Sequence, residues 1–295
     1  DSSTSRGLGD VYKRQPVWAL AGTFEHHITG CVALAAWNYY RVTQDKDWLK
    51  KKGFPILKAT AEFWLSRVEK GNDGTYHIRN VVAADEWAEN VDDNAYTNGV
   101  AKLNLKAASK AAKLLGEPIV PEWNKVSEGL VILSFPDGVT REHAQYDGEN
   151  IKQADVTLLA YPLKLITNST RIEKDLAYYE TRVPEKNTPA MTQAIFSLLY
   201  SRLGNAEKAT HFFKDAYLPN LNPPFRVIAE TKGGTNPYFI TGAGGVLQAV
   251  MMGFGGLDIT DNGIVQEKTG VLPTHWKTLT LKGIGTKGKT YLRKR

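Results

Sequence analysis

The 295 residues suffice for one large domain or two ordinary ones, and 42% hydrophobic against 23% charged residues supplies a core and argues against wholesale disorder. No run approaches the roughly 18 consecutive apolar residues of a membrane span, and the single cysteine, Cys31, excludes an internal disulfide, as the lack of Cys/His ligand spacing excludes a zinc module. The net charge of +6 comes from 37 scattered Lys and Arg whose only dense run is Lys287 to Arg295, which reads as solvated surface rather than a nucleic-acid face.

Residues 1–15 (DSSTSRGLGDVYKRQ) have neither apolar periodicity nor the apolar stretch of a signal peptide, and they read as translated adapter sequence. From Pro16 the text starts without an initiator Met or an opening cap, so the chain is expected to be a fragment whose natural N-terminus is missing. A first helix is predicted over 25–42, apolar nearly all round with Ile28, Val32, Ala35, Ala36 and Tyr39 on one face, and so buried on most sides. Its partner spans 47–69, capped by Asp45 or Asp47, with Pro55 in a first turn and two apolar sets, Ile56/Ala59/Phe63 and Leu57/Ala61/Trp64/Val68. Helices follow over 92–115, stopped by Gly116, and 189–203, with Thr188 as N-cap and Pro189 at the first position. Two more span 206–217, capped by Asn205, and 241–252. After Leu257 the period changes to two: 258–266 and 276–293 read as strands separated by Asp261-Asn262-Gly263 and the Gly283, Gly285 and Gly288 turns. Paired helices without a fixed repeat favour a ring of helices with loops gathered at one end over an open solenoid. The body is assigned to 16–257 and a β-rich cap to 258–295.

Three connections carry unusual chemistry. Val81 to Asn98 places Asp85, Glu86, Glu89, Asp92 and Asp93 close together, with Trp87 and Tyr96 among them. Such crowding raises at least one carboxyl pKa, as acid catalysis requires, and an indole offers a flat face to a sugar ring. The same loop reads equally as a solvated helix entry with Asp92 or Asp93 as N-cap. Lys152-Gln153-Ala154-Asp155 sets a cation and an amide, both donors to hydroxyls, before an apolar run; on its own such a pair is ordinary surface. Phe225 to Gly245 carries one carboxylate, Glu230, in an apolar approach to a glycine-rich turn that lacks phosphate-loop spacing. Glycoside hydrolysis needs two carboxyl groups on opposite sides of the bond, and Glu86 and Glu230 are the pair available on separate loops.

Ala84-Asp85-Glu86-Trp87 with Glu89-Asn90-Val91-Asp92-Asp93-Asn94-Ala95-Tyr96-Thr97-Asn98 resembles the DEYHExVDNNAYTN block of glycoside hydrolase family 65. Lys152 to Val156 is similar to that family's KQADV block, and Gly242-Ala243-Gly244-Gly245 through Gly253-Phe254-Gly255-Gly256-Leu257 to its closing GxGG…GFGGL helix. Glu25 to Gly30 and Glu62 to Arg67 add two further blocks in family order. The resemblance implies an (α/α)6 barrel, here in part, with a C-terminal β-sheet, acting on α-glucosides with inversion. It implies Glu86 as general acid, Lys152 and Gln153 on the hydroxyls of the −1 glucose, and Trp87 against the sugar; Asp85 and Glu89 are counted with the substrate-binding residues. Glu230 stands where the family's hydrolases carry their base, and Pro224 to Val227 and Thr188 to Thr192 also resemble that branch. Two departures stand out: Trp87-Ala88 replaces the family's Tyr-His, and the upstream Trp-Asp motif has no counterpart here.

The expected substrate is an α-glucoside disaccharide or a glucosyl-galactosyl unit, with no metal or cofactor and no nucleic-acid or membrane partner. A phosphorylase of the same family using inorganic phosphate and a non-catalytic sugar- or partner-binding scaffold are the alternatives. Linkage and oligomeric state stay open, as does the compartment, between periplasm and cytoplasm of a bacterium.

Overall fold

A computed structural model of the chain describes residues 20–186, 189–236 and 238–295. The adapter-like 1–15 and the Thr188 cap lie outside them. Helices His27–Thr43 (α1), Phe54–Arg67 (α2), Ala95–Leu115 (α3) and Pro121–Gly129 (α4) form one half of the body. Ser169–Glu180 (α5), Ala190–Arg202 (α6), Ala206–Asp215 (α7) and Ile240–Gln248 (α8) form the other. α3 packs on α1, α2 and α4; α6 packs on α7 and α8; and a 3-10 turn at Val156–Leu159 touches α3, α5 and α6, joining the halves. The result is part of an α/α barrel, an arc of inner helices (α1, α3, α6, α8) backed by outer ones.

Close approach within the inner layer follows from small residues. A Cβ on Gly30 of α1 would fall 2.7 Å from both methyls of Val100 on α3, and one on Gly245 of α8 would fall 3.0 Å from Ala194 on α6. Each half has its own core. Trp64 and Trp123 are fully buried in the first, and Phe196 and Phe254 in the second, where Trp276 of the C-terminal segment packs at 5.7 Å on Phe254. Each of the four inner helices starts at the end where the loops collect, since the first turns of α1, α3, α6 and α8 line one cavity.

The strands are antiparallel two-stranded hairpins: Val68–Lys70 with Tyr76–Ile78 (β1, β2), Leu221–Asn222 with Val227–Ile228 (β3, β4), Leu257–Thr260 with Gly263–Gln266 (β5, β6) and Thr278–Ile284 with Lys289–Lys294 (β7, β8). The β5–β6 hairpin is fastened to the helices by ion pairs from Arg41 (3.1 Å) and Lys110 (2.6 Å) to Asp261 and from Lys164 (2.7 Å) to Asp258. Among the described residues no helix is long and apolar enough to cross a membrane.

Several boundaries differ from the sequence expectation. The 47–69 helix divides into a turn at Lys46–Trp48 capped by Asp45, a wide π-turn at Leu49–Gly53, and α2, whose buried set is Leu57, Ala61 and Trp64. α3 opens at Ala95 because Asn94, not Asp92 or Asp93, caps it, its side chain accepting from Thr97 N at 2.8 Å. Pro189 is the N-cap of α6 rather than its first residue, and α8 passes into a π-turn at Ala249–Phe254. α1 is not buried on most sides: Ile28, Val32 and Tyr39 are about half exposed, with the Trp48 ring packed against Tyr39 at 4.3 Å.

The Trp64 ring is enclosed between α2 and α3, and its Nε1 donates to Asn104 Oδ1 at 3.0 Å. Trp64→Ala should lower unfolding free energy by about 3–5 kcal/mol, read as a fall in the urea midpoint; a loss below about 1 kcal/mol would show that this contact is not part of a cooperative core.

Candidate active site

The acidic loop runs from Arg79 to Asn94, between β2 and α3. A loop so rich in carboxylates keeps one shape only if most of them are used up in bonds, and they are. Asp92 accepts from Asn80 N (3.0 Å) and Arg79 Nη1 (3.2 Å), and Asp93 accepts from Ile78 N (3.3 Å) and bonds His77 Nδ1 (2.8 Å). Asp85 is buried and accepts from Lys152 N (2.8 Å) and Trp87 N (3.3 Å). Its carboxylate therefore positions the loop and the Lys152 backbone rather than standing free in the site. Glu86, next in sequence, is partly exposed, and its Oε2 accepts from Lys152 Nζ.

The Lys152–Asp155 segment fastens this loop to the inner helices. Asp155 is fully buried and accepts from Ala84 N (3.2 Å), Asn94 Nδ2 (2.9 Å) and Tyr96 N (3.2 Å), while Ala154 N donates to Thr192 Oγ1 of α6 (3.2 Å). Gln153 is buried, and its Nε2 donates to the Ala84 carbonyl. Lys152 Nζ donates to Glu86 Oε2 and lies 3.9 Å from Glu230 Oε1. Glu230 comes from the segment after β4; its backbone carbonyl accepts from Ala190 N (2.9 Å), and its Oε2 accepts from Asn236 Nδ2 (3.0 Å). Glu86, Lys152 and Glu230 therefore meet at one point, with Asp85 and Gln153 directly behind.

Trp87 and Glu89 stand apart from that point. Trp87 is about half exposed, and the two line a groove with Asp85, Glu142, His143 and Tyr146. On the other side a cavity of about 440 Å³ opens among His27, Cys31, Ala84, Tyr96, Gln153 and Thr241. Cys31 is only partly buried there, with its Sγ 3.3 Å from the Tyr96 hydroxyl. The adjacent histidines diverge: His26 Nδ1 accepts from Arg67 Nε at 3.2 Å, whereas His27 packs edge-on against Tyr96. Asn168 of the Asn-Ser-Thr sequon caps α5.

Several residues of the site were not singled out by the sequence. Asp155 ends the Lys152–Asp155 segment, and its role comes from burial against the cap and first turn of α3. Asn236, the partner of Glu230, sits in a turn noticed only for its glycines. Glu25, just before α1, lies in the field of Glu86 and Lys152, and burial with the Glu86 charge pushes its carboxyl up to about 7 against the pull of Lys152. Glu142 is wholly buried, with no partner for either carboxyl oxygen among the described residues; burial, then Asp155 and Asp85, holds it well above the carboxylate range. One carboxyl of the acidic loop is raised, Asp85 to about 6, but burial raises it and not the expected crowding of carboxylates along the loop.

A helical arc presenting two carboxylates on separate loops around one lysine, at the end where its inner helices begin, defines the class of α/α-barrel carbohydrate-active proteins. Residues 6–150 match the glycosyl hydrolase family 65 central catalytic domain, and the chain belongs to that family. It is 64% identical over 94% of its length to the kojibiose hydrolase of Mucilaginibacter mallensis, and 39% identical over 83% to the protein-glucosylgalactosylhydroxylysine glucosidase of Dictyostelium discoideum. The chain spans 41% of the first relative and 35% of the second. A putative kojibiose phosphorylase from the human microbiome shares the fold, with a TM-score of 0.69 at 20% identity over 90% of this chain and 44% of that one.

Burial raises Asp85 to about 6 and Asp155 to about 7, so between the unfolded carboxyl value near 4 and those values the folded state binds more protons than the unfolded one. Their contribution to stability is complete below about pH 4 and is lost as pH rises through about 6 to 7. The urea midpoint should therefore fall between pH 5 and pH 8, and Asp155→Asn should flatten that slope while costing about 1–3 kcal/mol at pH 5. A midpoint that climbs across this window contradicts the assignment.

Proposed function

We propose that this chain carries the catalytic carboxyl pair of an inverting glycosidase that releases glucose from α-glucosides. Glu86 is the general acid on the leaving oxygen, and Glu230 is the general base that activates a water on the opposite side of the anomeric carbon. The observation that carries this reading is the single ammonium of Lys152 reaching both carboxylates. Two such contacts in series keep the facing oxygens closer than the about 6.5–9.5 Å carboxyl separation of inverting pairs, so support for inversion comes from the family resemblance rather than from this spacing. Hydrolysis is then an in-line exchange: the glycosidic oxygen takes a proton from Glu86, water loses one to Glu230, and the anomeric centre inverts.

Support for water over phosphate as nucleophile comes from Glu230 itself. A carboxylate held by Asn236 opposite the acid repels a phosphate dianion but suits a base for water. The names of the hydrolase and glucosidase relatives point the same way, and kojibiose heads the substrate panel for that reason. Asp85 and Asp155 shape the acid loop, Lys152 and Gln153 bind ring hydroxyls, and Trp87 and Glu89 meet the leaving group at the rim.

In the longest native polypeptide carrying this sequence, Glu86→Gln and Glu230→Gln should each lower kcat/KM on an α-glucose disaccharide by about 10³ or more, equivalent to about 4 kcal/mol of barrier. Turnover should be the same with and without inorganic phosphate. Phosphate-dependent release of glucose 1-phosphate would replace the hydrolase with a phosphorylase. Full activity of Glu86→Gln would leave a non-catalytic scaffold.

Asn236→Ala tests the holder of the base. It should lower kcat about 10–100-fold with little change in KM, because the substrate side of Glu230 is untouched while its orientation is lost. A KM effect alone would place Asn236 in sugar binding instead.

A further inference from the structure

We propose that the groove beside Trp87 is a subsite for a second, neutral hexose of the leaving group, so that the preferred substrate carries its terminal glucose on an acceptor of two sugar units rather than one. This inference rests on the acid role proposed for Glu86, which fixes the leaving side, and it names the acceptor that side takes.

Position is the first ground. The groove, of about 260 Å³, lies between the acidic loop, which supplies Trp87 and Glu89, and the 142–150 segment, which supplies His143, Gln145, Glu149 and Asn150. It shares no lining residue with the cavity of about 440 Å³ around Gln153. A general acid touches the oxygen that joins glucose to its leaving group, so the first leaving ring abuts Glu86. Glu86 does not line the groove, and neither do Lys152, Gln153 and Glu230, whereas Trp87, the next residue, does. A ring held there is one unit beyond the bond that breaks. The volume falls below the roughly 300–1,000 Å³ of pockets for drug-sized ligands, which suits a single ring.

Chemistry is the second. Trp87 is about half exposed and gives the groove a flat indole wall for the C–H side of a ring. At the rim, Glu149 Oε2 accepts from Asp147 N at 2.9 Å, and that backbone donor holds the carboxyl below its usual range, so it stays an acceptor. Glu89 adds a second carboxyl group, and the amides of Gln145 and Asn150 both donate and accept. With no lysine or arginine among the lining residues, the groove repels a sugar phosphate or a uronate and admits a neutral ring. The deepest part is unpaired. His143 is more than nine-tenths buried, burial pushes its imidazole below the usual range and keeps it neutral, and its Nδ1 has no partner among the described residues. A buried polar atom left unpaired is costly, and a hydroxyl of the bound ring supplies what it lacks.

Titration calorimetry on the longest native polypeptide tests this with two sulfur-linked, uncleavable analogues: an α-glucose disaccharide, and the same compound extended by one glucose at its reducing end. The extended analogue should bind the wild type about tenfold more tightly, on the scale of one stacked ring with paired hydroxyls. That preference should fall below about twofold in Trp87→Ala and in His143→Gln. Trp87→Ala alters an exposed ring and keeps the test readable should His143→Gln fail to fold. Equal binding of the two analogues by the wild type overturns the proposal, as does no binding of either, or a tenfold preference that survives in Trp87→Ala. Failure of the underlying reading looks different: Glu86→Gln would then hydrolyse the oxygen-linked disaccharide at the wild-type rate, whatever the ratio of affinities.

Discussion

A buried carboxylate that accepts bonds from three directions determines where everything else in the site can be. Asp155 receives Ala84 N from the segment leading to Glu86, Asn94 Nδ2 from the cap of α3, and Tyr96 N from the first turn of α3. Isolated, such a group would be expensive to bury; surrounded by donors, it converts that cost into position. Loss of any one donor would free a different part of the same loop. The neighbouring Asp85 and Glu142 make this the most acidic part of the interior, and burial keeps their carboxyls toward the protonated form.

From that tie the geometry propagates outward. Fixing Ala84 fixes Glu86 two residues on, and fixing the Lys152 backbone through Asp85 aims the ammonium at Glu86 from the other side. α6 completes the frame: Thr192 in its first turn holds Ala154, and Ala190 N holds the carbonyl of Glu230. Glu86 and Glu230 are thus attached to two different inner helices, α3 and α6, which the 3-10 turn at Val156–Leu159 bridges. The β5–β6 hairpin bonds at Arg41 and Lys110, near the C-terminal ends of α1 and α3, and so braces the arc away from the site.

Much of the helical frame was legible from apolar spacing, caps and stops; Asp45, Asn205 and Gly116 act as their chemistry predicts. What was not legible depended on neighbours distant in sequence. The apolar circumference of α1 indicates burial, but no spacing rule says which side has a partner, and Ile28, Val32 and Tyr39 are left half open. A run of three lysines ending in Gly53 gave no warning of the π-turn that separates α2 from the preceding turn. In the site, Glu86, Glu230 and Lys152 were legible through the resemblance of their blocks to the family's, since Lys152-Gln153 alone reads as ordinary surface and the acidic loop reads equally as a helix entry. Asp155, Asn236 and Glu25 were not, since their roles come from burial and from partners brought in by the fold. The raised carboxyl in the acidic loop was anticipated, but its cause is desolvation of Asp85, which sequence proximity cannot reveal.

The central claim is that Glu86 and Glu230 act from opposite sides of one anomeric centre. The stereochemistry of the first product formed tests it most directly. Proton NMR during the first minutes of α-glucose disaccharide cleavage by the longest native polypeptide should show β-glucose ahead of mutarotation. Initial release of α-glucose would mean retention, and two carboxyl groups flanking the bond with a water between them would then be the wrong description of this site.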